Sequence, residues 1–134
     1  MLVRTVVASE TGTNSTTILT NELGALAGLR EEKDLALVRK TYEAFFARFT
    51  TPPKDEKLAE SYADHAYRFH ELLVAGGERK RAVSMLRLVL KCRIAWDIRN
   101  KVAIELADLD VYLAEHSTGD ERKQFLKEAD SLIR

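Results

Sequence analysis

The residues that could do chemistry fall in two short stretches. His65, His70 and Glu71 carry metal-ligating groups within seven positions. A helical zinc site places two histidines four residues apart, on one face. A spacing of five turns them about 140° apart at 3.6 residues per turn. His65 instead falls on an apolar stripe and His70 beside it, so both are expected as core or boundary histidines, with no metal bound. Asp108, Asp110 and Glu115 could supply an acid and a base. Asp108 and Asp110 are two apart and do not face each other on a helix, so a solvated acidic face is expected. His116 is expected beside a helix C-terminus, in a favourable dipole contact.

No serine nucleophile elbow, phosphate loop or dinucleotide fingerprint occurs in the chain. A ferritin-like carboxylate centre needs a glutamate three residues before a histidine on two helices, and no such pair is present. Gly76-Gly77 before a basic helix start could hold a phosphate, but a plain helix cap is the simpler reading. These residues predict no catalytic activity, no cofactor and no small-molecule substrate.

The densest pattern lies at residues 78–101. There Ala82, Met85, Leu86, Val89, Cys92 and Trp96 recur at three- and four-residue steps, one face of a helix. The same stretch carries Arg79, Lys80, Arg81, Arg87, Lys91, Arg93, Arg99 and Lys101 against Glu78 and Asp97, a net charge of +6. The full 134-residue chain is neutral, with residues 1–77 at −2 and 102–134 at −4. The segments either neutralise one another within the fold or self-assembly, or leave a surface patch for an anionic partner. Arg79, Lys80, Arg87, Lys91, Arg93 and Arg99 are the candidate partner-binding residues. Trp96 is expected as a core anchor or as a hot spot in a protein interface.

These residues require elements to position them. Residues 1–17 combine β-prone Leu2, Val3, Val6 and Val7 with a turn-rich ETGTNSTT segment, which predicts an extended arm and then a loop. Residues 18–134 form the expected helical domain. A modest helix is predicted over 18–29, capped by Asn14, Ser15 or Thr16 and ending near Gly28. Residues 31–49 follow, with acids in the first turn and Leu35, Val38, Tyr42, Phe45, Phe46 and Phe49 inward. The Thr50-Thr51-Pro52-Pro53 stop separates this helix from one over 54–75, which Gly76-Gly77 ends. The apolar face then shifts by two residues, from Trp96 to Ile98, Val102, Leu106, Leu109 and Leu113. Two residues turn about 200° around a helix, so a break is expected near Asp97. A last helix is predicted from Asp120 to Ile133. The expectation is an all-α, single-domain bundle of about six helices arranged as antiparallel hairpins, with a short extended N-terminal arm.

The hairpin over 63–90 resembles a tetratricopeptide unit through Ala66, Phe69, Leu73, Gly77, Ala82, Leu86 and Val89. Leu109, Tyr112, Ala129 and Leu132 suggest a second unit. The resemblance implies a surface for a peptide or partner helix and no bond-making. The lone Cys92 excludes an intramolecular disulfide and fits a reducing, cytoplasmic setting. No run approaches the roughly 18 apolar residues of a membrane span, and the opening residues lack a secretory apolar stretch. The expected function is a non-enzymatic protein-protein interaction or assembly module, with self-association as one form. The alternative is a small nucleic-acid-binding subunit of a ribonucleoprotein.

Overall fold

The computed structural model describes residues 11–132, all-α and without a strand among them. Six α-helices follow in order: α1 (Thr11–Leu26), α2 (Leu35–Arg48), α3 (Glu56–Ala75), α4 (Arg79–Lys91), α5 (Trp96–Glu115) and α6 (Gly119–Leu132). A 3-10 turn over Ala27–Glu31 follows α1. The first ten residues of the expected arm lie outside the described residues. The rest of it differs from expectation, because α1 begins at Thr11 rather than after Thr17. Gly28 lies in the 3-10 turn beyond the helix end.

The chain divides into two compact units, Met1–Thr50 and Thr51–Arg134. In the first, α1 buries Leu19, Leu23 and Leu26, and α2 buries Val38, Tyr42, Phe45 and Phe46. The Phe45 and Phe46 rings meet edge-on at 4.9 Å, a geometry aromatic quadrupoles favour. Two inward residues predicted for α2 differ: Leu35 is exposed and Phe49 half-buried. The cause is where the helix begins and ends, with Phe49 standing at its C-cap. Asp34 caps α2 by accepting from the Leu37 amide, so Leu35 opens the first turn at the rim.

The second unit packs α3 on α4, α4 on α5 and α5 on α6. Asp55 caps α3 through the Leu58 amide, which leaves Pro52 and Pro53 in the approach rather than in the first turn. Gly77 ends α3 at φ 79°, with Glu78 N–H donating to Leu73 O and Gly77 N–H to Val74 O. This is the paired closure that a left-handed residue permits after a helix. Tyr62, Phe69 and Leu73 of α3 and Val83, Leu86 and Val89 of α4 are almost wholly buried. Each contributes about 1.5–3 kcal/mol before the entropy of ordering it.

The break between α4 and α5 falls at residues 92–95, earlier than the Asp97 position expected. Ala95 stands at the N-cap of α5 with no side-chain capping bond. Of the face expected after the break, Val102, Leu106 and Leu113 are buried and Leu109 is half-buried, but Ile98 and, before it, Trp96 are exposed.

Candidate functional site

Four of the six candidate cations are engaged inside the second unit. Arg79 lies over the Tyr112 ring at 4.3 Å, a cation–π contact. Lys80 reaches Glu121 at 3.0 Å. Arg87 forks onto Glu128, at 2.8 Å and 2.9 Å. Both ion pairs join α4 to α6, and both helices advance seven residues between them. The two helices therefore run parallel, with α5 returning between them. Arg99 donates to Leu90 O at 2.8 Å and Cys92 O at 3.1 Å, so its guanidinium serves the open C-terminal carbonyls of α4. The +6 stretch and the −4 tail of the chain thus meet across one helix pair at two points.

Lys91 and Arg93 differ from the other four. They line a groove of about 360 Å³ with Pro52, Pro53 and Lys54, and no acid is among its lining residues. Trp96 follows three residues after Arg93 and is 77% exposed. It is not the core anchor that its place on the apolar face of α4 suggests. Helix α4 ends at Lys91, so the three- and four-residue spacing that would carry Trp96 inward no longer applies.

The histidines sit in packed surroundings. His65 and His70 are buried. His70 Nδ1 donates to Tyr67 O, and its Nε2 lies 3.6 Å from Glu105. The Tyr67 hydroxyl donates to Glu105 at 2.6 Å, and Lys101 lies over the Tyr67 ring at 5.4 Å. Burial first, then the Glu105 hydrogen bond and charge, push the Tyr67 phenol up. This cluster ties α3 to α5. No group of three or more metal-ligating side chains gathers among the described residues. His116 caps α5, donating from Nδ1 to Tyr112 O at 2.8 Å and stacking on that ring.

The acidic face departs from expectation at one residue. Asp108 and Glu115 are exposed, whereas Asp110 is 0% exposed and neither carboxyl oxygen has a hydrogen-bond partner among the described residues. Burial first, then the neighbouring Glu128 carboxylate, push Asp110 up to about 8, against a counter-pull from Arg87. The reason lies in its register. Asp110 is four residues after Leu106 and three before Leu113, both buried, so it occupies the core face of α5.

Cys92 is buried, with its thiol directed to Leu88 O at 3.4 Å. Burial pushes it up to about 11, against an opposing pull from Arg99. The first unit holds a hollow of about 470 Å³ whose lining includes Leu26, Leu37, Phe45 and Phe49. Arg48 and Glu22 also line it and pair at 3.5 Å. No helix among the described residues is long and apolar enough to cross a membrane.

The fold and site define a class, an all-α protein of successive helical hairpins with a cationic groove at one helix end. No family model, curated protein or solved structure matches the chain.

Proposed function

We propose that this chain is a non-enzymatic protein-interaction or assembly module, docking a protein partner or its own copy through the C-terminal end of α4. The observation that carries the reading is the groove of Lys54, Lys91 and Arg93, without an acid in its lining, followed in the chain by exposed Trp96. Arginine and tryptophan are the side chains that most often dominate the energy of protein interfaces. The α3–α4 hairpin, which resembles a tetratricopeptide unit, would be the scaffold that presents them. The lone buried thiol supports a reducing, cytoplasmic setting.

The test is the double substitution Lys91→Glu with Arg93→Glu, and Trp96→Ser alone. Both leave internal ion pairs untouched. Partner capture, read by crosslinking and mass spectrometry, should be lost with helicity unchanged by circular dichroism. Undiminished capture by both variants would overturn the reading.

Exposure of Trp96, three residues after Arg93 in the chain, favours a second reading, a nucleic-acid-binding subunit. Base stacking on an aromatic ring combined with backbone contacts to cations is how single strands are held without sequence preference. Such binding weakens steeply with salt. A labelled single-stranded oligonucleotide at low salt would shift in a gel. Absence of a shift at micromolar protein ends this second reading and leaves the first standing.

A further inference from the structure

Helix α6 is held by little apolar burial. Among its described side chains only Ala129 is fully buried, while Phe125 and Leu132 are half-buried and Leu126 is 42% exposed. It packs on α5, and two ion pairs tie it to α4, Glu121 to Lys80 and Glu128 to Arg87. Asp110 of α5 is 0% exposed and lacks a hydrogen-bond partner for either oxygen. The charged groups facing it are Arg87 from α4 and Glu128 from α6.

Two carboxyls and one guanidinium thus share a site where three helices meet. With both carboxyls ionised the site is net negative, and one of those charges is out of water without a hydrogen bond. With Asp110 protonated the charges balance, and its hydroxyl is a donor available to Glu128. The geometry points to a proton-linked latch in which protonated Asp110 lets Glu128 and α6 seat against α4 and α5, and ionisation of Asp110 releases α6.

The electrostatics agree in direction. Burial pushes Asp110 well above the usual aspartate range. Glu128, although burial pushes it up, is held low overall by its hydrogen bond from Arg87. Asp110 is the member of the pair that keeps the proton. The docked state therefore binds a proton that the released state sheds above the ordinary aspartate value. Docking is fully favoured below the ordinary aspartate value of 3.8 and is lost progressively as pH rises from there through the docked-state value near 8. One linked proton changes the docking equilibrium by at most about tenfold per pH unit.

Hydrogen exchange of the full chain between about pH 5 and 8, where the linked proton is lost, corrected for intrinsic chemistry, tests this. Amide protection in α6 should fall by up to about tenfold per pH unit, with smaller loss in α3. Asp110→Asn, which cannot ionise, should remove that slope. A merely structural role would lower protection at every pH and leave the slope in place. Flat α6 protection in the parent chain, an unchanged slope in the Asn variant, or equal loss across the whole unit would each overturn the latch. Should D110N fail to fold, carbon-13 titration of the Asp110 carboxyl in the parent chain decides. A midpoint in the ordinary aspartate range overturns the proposal, and one several pH units higher supports it.

Discussion

Arg87 holds Glu128 by two hydrogen bonds, from Nε at 2.8 Å and from a terminal guanidinium nitrogen at 2.9 Å, directly beside the buried carboxyl of Asp110. A forked pair is stronger than a single charge contact because the guanidinium plane matches the carboxylate. Here it also supplies the positive charge facing two acids. A residue expected to be free for a partner is thereby part of the internal frame of the second unit.

Replacing Arg87 with Gln should therefore destabilise the chain by about 1–2 kcal/mol, the range for hydrogen bonds to charged groups after discounting for its partial exposure. The loss should shrink when Glu128→Gln is added, because the unpaired carboxylate then disappears. Urea denaturation of the two single variants and the double variant measures the coupling. Additive losses would show that the two side chains act independently.

Arg99 acts on backbone. Its guanidinium meets the carbonyls of Leu90 and Cys92, two groups that the end of α4 leaves open. Arg99→Ala should cost about 1–3 kcal/mol, since charged donors to otherwise unmet carbonyls lie in that range. Arg99→Lys should recover only part, because an ammonium is a point charge and lacks the planar fork. Thermal melts followed by circular dichroism give the order parent, Lys, Ala.

Trp96 and Leu86 shared one apolar stripe in the sequence and have opposite surroundings. Leu86 is 0% exposed and Trp96 77% exposed. Leu86→Ala should cost about 2–5 kcal/mol through lost burial and an unfilled cavity. Trp96→Ser should change stability by no more than about 0.5 kcal/mol, as for an ordinary surface position. Equal losses in urea denaturation would mean that the indole is packed after all.

Helix periodicity made the fold legible because it is local. The stripes through Tyr42, Tyr62, Phe69 and Leu86 needed only the 3.6-residue repeat, and all four are buried. What stayed hidden depends on neighbours distant in sequence. Nothing near Arg87 announces Glu128, 41 residues away, as its partner. Asp110 was partly legible, since its spacing from Leu106 and Leu113 puts it on the core face. Its charge argues for solvent, since an aspartate is seldom fully buried, and only burial that favours the protonated form makes the core face tolerable. Trp96 failed for a different reason. The break fell at residues 92–95, with neither proline nor glycine to mark it, and Arg99 holds the carbonyls that a continuing helix would have used.

Cys92 offers a measurement of how tightly that break is packed. Its thiol is buried beside the α4 terminus, and burial raises it from 9.0 to about 11. The thiolate is the reactive form, so two pH units should lower its native population roughly a hundredfold near neutral pH. Alkylation by iodoacetamide at about pH 8 should therefore be slow in the native chain and fast in denaturant. The linkage has a definite sign. A thiol raised on folding contributes stability that is complete below about pH 9, where the unfolded chain also keeps its proton. That contribution is lost as pH rises from 9 through 11. Cys92→Ala should flatten the fall in stability over that alkaline interval. Native labelling as fast as denatured labelling would mean that residues 92–95 open freely and that the Arg99 cap does not hold them.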